Sequence, residues 1–158
     1  MKHVVGISEM KVSNQPDDLL ITYSLGSCIG LALYEPRLRL GGLIHCMLPL
    51  SSIDPDRANE RPCMFTDTGV PLLIRTMLDL GAKTENLVAK VAGAASLLDN
   101  SGHFSIGDRN QVILRTILRK HQIAIAAEET GGNKARTMSL HLQNGVTLLR
   151  SGGMEHEL

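Results

Sequence analysis

The chain has 158 residues, 43% of them hydrophobic and 20% charged, with 16 basic and 16 acidic side chains and a net charge of zero. That length fits one domain, expected over residues 1–158, and the even charge balance excludes a basic nucleic-acid footprint and a polybasic membrane-surface tail. Two Tyr, two Phe and no Trp make the expected core aliphatic, and no apolar run approaches the ~20 residues of a membrane span.

The first half reads as strands. Val4 to Ile7, Leu19 to Leu25, Ile29 to Tyr34 and Gly42 to Met47 are apolar runs separated by Gly and Pro punctuation such as Glu35-Pro36 and Gly41-Gly42. Leu50 to Met64 is polar, carries Pro55 and Pro62, and reads as a mobile loop beside the last of these strands. Helical spacing starts near Thr66. Thr66 or Thr68 caps, Asp67 suits the positive helix start, Pro71 fits a first turn, and Gly81 stops the helix. Val70, Leu73, Ile74, Met77 and Leu78 share its apolar face.

Leu87 to Ala92 is a strand that runs into Gly93-Ala94-Ala95-Ser96. Asp108 caps a second helix with Val112, Leu114, Ile117 and Leu118 apolar and Arg119 and Lys120 in its last turn. Ile123 to Ala127 is a strand. Met138 to Leu142 and Val146 to Leu149 form a hairpin across Asn144-Gly145, with a type I′ turn expected, and the tail from Ser151 is expected to fray. Two helices and about eight strands in mixed order give an α/β or α+β layered domain.

Three cysteines, and an N-terminus that enters a strand without a signal-peptide h-region, point to a reducing cytoplasm with free thiols. Two residues carry a possible chemistry. Cys28 follows an apolar strand in Leu25-Gly26-Ser27-Cys28, and His45 lies in the next one. A thiol becomes a good nucleophile near neutral pH when an imidazole takes its proton, and a third group holds the imidazole's tautomer. The two-residue strand period turns Thr22 and Ser24 to one side and Ile21 and Tyr23 to the other, so Thr22 or Ser24 is in place for that task.

Other uses of these residues weigh less. Cys46, next to His45, points to the opposite face and reads as core, and Cys63 reads as an exposed thiol in the polar loop. Zinc at Cys28, His45, Cys46 and Cys63 lacks any Cys-x-x-Cys or His-x-x-x-His pair, so no metal and no cofactor is expected. Gly131-Gly132-Asn133-Lys134 lacks the frame of a phosphate loop and reads as a turn. Arg109 and Asn110 read as helix-start structure, and His3, His103, His121 and His141 as residues of solvated faces.

The blocks around the pair make it specific. Leu25-Gly26-Ser27-Cys28, His45-Cys46-Met47-Leu48-Pro49, Val91-Ala92-Gly93-Ala94-Ala95-Ser96, Ile106-Gly107-Asp108-Arg109-Asn110 and Glu128 to Arg136 resemble the chemoreceptor glutamine deamidases of bacterial chemotaxis, the CheD family, in order and spacing over residues 4 to 150. Gly6-Ile7-Ser8-Glu9 departs from the family's common Gly-x-Gly-Glu opening. The resemblance implies a three-layer sandwich with mixed sheets and two main helices, similar to the deamidase domain of cytotoxic necrotizing factor toxins. It places the catalytic Cys on Cys28, the His on His45 and the Thr on Thr22.

It also implies a reaction. His45 takes the Cys28 proton to give a thiolate–imidazolium pair, and the thiolate attacks a glutamine carboxamide. Backbone N–H groups near Cys28, with the Ser27 hydroxyl as a weaker candidate, hold the oxyanion. Family members act on cytoplasmic helices of methyl-accepting chemotaxis receptors, some also hydrolyse receptor methyl esters, and many bind a CheC-type phosphatase of phosphorylated CheY. The alternative is a binding module that tunes such a phosphatase, with catalysis secondary. A cysteine hydrolase of another substrate class is more distant.

Overall fold

The computed structural model describes residues 1–96 and 105–158, so His103 lies outside the described residues. The chain runs β1 (Lys2–Val4), β2 (Glu9–Ser13), β3 (Leu19–Leu25), β4 (Ile29–Glu35), β5 (Leu40–Cys46), α1 (Pro55–Glu60), α2 (Thr66–Asp79), β6 (Val88–Gly93), α3 (Ile106–Lys120), β7 (Ile125–Thr130), β8 (Arg136–His141), β9 (Thr147–Ser151) and β10 (Met154–Glu157). One sheet has the order β1-β3-β8-β9-β10 and the other β2-β5-β4-β6-β7. Both are mixed, with β1/β3 and β6/β7 parallel and the remaining pairs antiparallel.

The layers follow from residue alternation. Along β4, Leu31 and Leu33 join the core against the helices, while Ala32 and Tyr34 join the core shared with the other sheet. Every residue of β4 and β5 is buried, because this sheet is covered on both faces. α2 supplies Val70, Leu73 and Met77, and α3 supplies Leu114 and Leu118, to the helix-side core. Each such side chain contributes roughly 1.5–3 kcal/mol by leaving water. The result is the expected three-layer α+β arrangement of sheet, sheet and helices.

Several local expectations are corrected. β2 was absent from the strands read in the sequence. It is an edge strand whose Met10 and Val12 touch the core while Glu9 and Lys11 stay exposed. The segment read as a mobile loop is built of short turns. Asp54 caps α1 by accepting from the Arg57 N–H at 3.1 Å, Pro55 opens it, and Asp67 accepts from both the N–H and the hydroxyl of Ser51 at 2.9 Å.

The N-cap of α2 is Phe65, with no side-chain cap bond; the Thr68 hydroxyl donates to the Pro62 carbonyl instead, at 2.6 Å. Ser105, not Asp108, caps α3, and Asp108 completes a capping box from the third helical position. The β8–β9 connection holds only Gly145 at positive φ (77°), whereas a type I′ turn needs two such residues. The His141 N–H donates to the Val146 carbonyl and the Gly145 N–H to the His141 carbonyl, which closes a longer loop.

The tail does not fray. β10 pairs with β9 from Met154 opposite Ser151 to Glu157 opposite Leu148. Leu158 packs against the inter-sheet core, its N–H donates to the Thr147 carbonyl at 2.8 Å, and Lys90 Nζ donates to the Leu158 carbonyl at 2.9 Å. Truncation after Ser151 is therefore expected to cost about 1–2 kcal/mol in urea unfolding. A truncated chain as stable as the full one would mean these contacts contribute nothing.

Candidate active site

β4 and β5 place Cys28 and His45 on one face. Gly30 pairs with His45, and Ile29 pairs with Cys46 at the last rung of the ladder. Cys28 sits two residues before Gly30 and packs against the inter-sheet core, the side that His45 also faces. Cys46 joins the helix-side core, as the strand period requires. The thiol and imidazole are thus diagonal neighbours across a position that carries no side chain. Among the described residues His45 Nε2 has no hydrogen-bond partner, so it makes no hydrogen bond to Cys28 in this structure.

Thr22 completes the group from the opposite sheet. Its Oγ1 lies 2.7 Å from His45 Nδ1 and 2.7 Å from the Val5 carbonyl oxygen. A hydroxyl has one proton to donate, and a carbonyl can only accept. The Thr22 proton therefore goes to Val5 and its lone pair faces Nδ1, which must carry the ring proton. That leaves Nε2 with a bare lone pair. Thr22 and His45 are both fully buried. Ser24, the other residue the strand period offered, turns outward. The β3–β8 register shifts between Thr22 and Leu25, with Ser24 at φ 59°, so Tyr23 and Ser24 are both exposed and Leu25 is buried.

Burial governs the charges. It holds the His45 imidazole down at about 4 and pushes the Cys28 thiol up. Both shifts favour a thiol beside a neutral imidazole in the free site, with the thiolate–imidazolium pair as a step of the reaction. The Cys28 N–H, turned to its own sulfur, works in the opposite direction from burial and lowers the thiol.

The Cys28 turn is held by backbone. The Ala94 N–H donates to the Cys28 carbonyl and the Ala95 N–H to the Gly26 carbonyl, both at 2.8 Å. Gly93 lies at φ 105°, and a Cβ there would stand 2.4 Å from the Cys28 carbonyl oxygen, so only glycine lets β6 come this close. The Ser27 carbonyl accepts from Asn110 Nδ2 at 2.9 Å. Asn110, read in the sequence as helix-start structure, is fully buried and reaches the turn from α3. No spacing signal links it to Cys28; only the fold brings it there.

The remaining candidates separate. Cys63 is buried at 8% exposure against the helix-side core, not exposed. The four zinc candidates therefore lie on two faces of one sheet. His3 bonds Asp18, and His121 Nδ1 contacts the Ile117 carbonyl.

Two tests follow. Cys28 is half-exposed while Cys46 and Cys63 are buried, so iodoacetamide at neutral pH is expected to label Cys28 at least tenfold faster than either. Equal rates, read by peptide mass mapping, would contradict this placement. The second test is pH. Unfolded His takes a proton near 6.5, whereas folded His45 does so near 4. Its contribution is intact above pH 6.5 and is lost as pH falls from 6.5 toward 4, by about 3 kcal/mol at most. Urea unfolding across that range should show the loss, and His45→Gln should flatten it.

A family model described as CheD chemotactic sensory transduction matches residues 47–151. Probable chemoreceptor glutamine deamidase CheD 1 of Syntrophus aciditrophicus (strain SB) is 45% identical over 150 residues, covering 95% of this chain and 94% of that protein. Probable chemoreceptor glutamine deamidase CheD of Solibacter usitatus (strain Ellin6076) is 44% identical over 155 residues, covering 98% and 92%. Among solved structures, Bacillus licheniformis hypothetical protein YfiH aligns with a TM-score of 0.49 at 14% identity, over 77% of this chain and 49% of that one.

Proposed function

The chain belongs to the CheD family, and we propose that it is an enzyme that deamidates glutamines of methyl-accepting chemotaxis receptors through Cys28, His45 and Thr22. One observation carries the assignment of roles: the Thr22 hydroxyl, committed to Val5, fixes the Nδ1–H form of His45 and leaves Nε2 as an unpartnered base. Nε2 takes the Cys28 proton as the sulfur attacks the glutamine carbonyl carbon. The Cys28 N–H, with the Ser27 hydroxyl as a second donor, receives the oxyanion. The imidazolium returns the proton to the leaving nitrogen, so ammonia departs and a thioester remains. Nε2 then deprotonates a water that attacks the thioester, releasing glutamate and restoring the thiol.

The order of events matters because the free pair is neutral. Transfer from a raised thiol to a lowered imidazole is uphill, so it proceeds together with carbon–sulfur bond formation. A neutral Thr orients the ring but gives the imidazolium no counter-charge. Both features fit a slow modifying enzyme. Some family members also hydrolyse receptor methyl esters, and the same thioester route accepts an ester carbonyl.

Receptor helices are large and present glutamine on a convex surface, which suits a half-exposed nucleophile. Met47, Leu50 and Ile53 are exposed at 40%, 41% and 64% just beyond β5, and we assign the helix contact to them. The same apolar patch is the proposed seat of a CheC-type phosphatase, and added phosphatase is expected to raise the apparent KM for receptor. No helix among the described residues is long and apolar enough to cross a membrane; we place the protein in the cytoplasm, where the modified receptor helices lie.

The test is incubation with a receptor cytoplasmic fragment, with site mapping by mass spectrometry and ammonia release. Cys28→Ala is expected to abolish turnover and His45→Ala to lower kcat by about 10²–10⁴. Thr22→Val should lower kcat about tenfold with KM nearly unchanged, and Thr22→Ser should retain much of the activity. Near wild-type turnover of Thr22→Val would leave a Cys28–His45 dyad. Full activity of Cys28→Ala would remove the proposal, and receptor binding without any wild-type turnover would favour the binding-module reading.

A further inference from the structure

β4 and β5 stop pairing at Ile29 opposite Cys46. Beyond that rung they part. β5 runs on to a different neighbour, where the Met47 and Leu48 N–H groups both donate to the Met64 carbonyl at 2.9 and 3.0 Å and Leu48 bridges Phe65. The other limb turns back through Cys28 and Ser27. A fork opens here, and the carbonyls of Ser27 and Met47 are left without a ladder partner on the facing strand.

The Asn110 amide closes that fork. Its Nδ2 donates to the Ser27 carbonyl at 2.9 Å and to the Met47 carbonyl at 3.3 Å. Its Oδ1 lies 3.2 Å from the Thr66 hydroxyl at the start of α2. The orientation is set by chemistry. Two carbonyls demand donors, and the NH2 end of the amide is the end with two protons. Thr66 Oγ1 also lies 3.2 Å from the Leu48 carbonyl, but that carbonyl already accepts the Thr66 N–H at 2.8 Å, which leaves the single hydroxyl proton available to the amide oxygen. None of these partners carries a charge.

We infer that Asn110 is a positioning residue that sets the separation of Cys28 and His45 by stapling the two strands just past the end of their ladder. Ser27 precedes the nucleophile by one residue, and Met47 follows the base by two. Cys28 and His45 make no direct bond in this structure, so their separation rests on the backbone that carries them. Gly30, between them, has no side chain of its own, and the Leu25 and Met138 side chains pack over it. A change in fork angle therefore moves the sulfur relative to Nε2, and small displacements of reacting groups are costly in rate. This role rests on the proposed Cys28–His45 chemistry.

Asn110→Asp tests it with the same shape and the wrong charge. At neutral pH the carboxylate faces two carbonyls and donates to neither. Once protonated, it donates one bond. The expected result is a kcat at least tenfold below wild type at pH 8, with KM for the receptor fragment within twofold. The variant-to-wild-type ratio of kcat should rise as pH is lowered to 5, because protonation restores one staple. A residue that merely supports the helix would show a loss of folded protein with no such split and no such recovery. A kcat within twofold of wild type at pH 8, or a ratio flat with pH, overturns the inference.

Two further measurements keep the outcomes apart. The iodoacetamide rate at Cys28 needs no receptor, so it reads the thiol–imidazole geometry even if the wild type proves inactive on receptors. Asn110→Asp should lower that rate toward the value of His45→Ala, and an unchanged rate overturns the inference. Should Asn110→Asp fail to fold, Thr66→Val releases the amide oxygen while leaving both Nδ2 bonds possible. It should lower kcat, or the Cys28 alkylation rate, two- to fivefold, and no change in either counts against the staple.

Discussion

The single proton of the Thr22 hydroxyl is the constraint on which the site depends. The hydroxyl sits between a carbonyl of the segment after β1 and a buried imidazole of β5, and so ties the two sheets across their shared core. Because that proton is spent on Val5, the hydroxyl can present only lone pairs to His45. The ring tautomer and the direction of its free lone pair follow, while burial favours the uncharged ring. A buried hydroxyl with two satisfied contacts also stabilises the sheet packing, since leaving either partner unpaired in the core costs about 1–3 kcal/mol. Structure and chemistry share one contact here, so changes at Thr22 affect both.

Around that contact the fold removes side chains where backbones must meet. Gly30 lets Leu25 and Met138 pack down onto β4, where a Cβ would stand 2.9 Å from Leu25 Cδ1 and 3.2 Å from Met138 Sδ, and Gly93 lets β6 press against the Cys28 carbonyl. Ala94, at φ 53°, and Ala95 then hold the turn with their N–H groups. The small-residue run after β6 thus acts as a mould for the Cys28 turn. Its bulk is limited by close approach to the α3 start as well, since a Cβ at Gly107 would lie 2.7 Å from the Ala94 carbonyl group.

The central strands were legible because they are covered on both faces. Leu19–Leu25 was read with its observed limits, and β4 and β5 within two residues of theirs, from continuous apolar runs. The candidate residues Cys28, His45 and Thr22 were legible through the family resemblance, and the placement of Cys46 in the core on the opposite face through simple alternation. β2 was lost because an edge strand with alternating charge carries little apolar signal. The tail was lost because all four β10 residues are exposed; its order comes from backbone pairing, which composition does not record. Ser24 broke the two-residue period through a bulge, and the helix caps moved by one to three residues because capping depends on backbone geometry. Asn110 was invisible for a different reason: its partners are backbone carbonyls far away in the chain, and carbonyls have no sequence.

The exposed β10 has one more consequence. It is the outermost strand of its sheet, and an outermost strand offers unpaired N–H and C=O groups to any passing chain. Here that rim alternates Glu155 and Glu157 around His156, and the rim of the other sheet at β2 carries Glu9 and Lys11. The opposite rims end on the three-residue β1, with Lys2, and on β7, with Glu128 and Glu129. A second strand adding to any of these would bring such charges together or strip their water. The molecule thus guards its open sheet borders with electrostatics, which lets a protein of zero net charge and aliphatic core keep two unclosed sheets without inviting fibrous self-association.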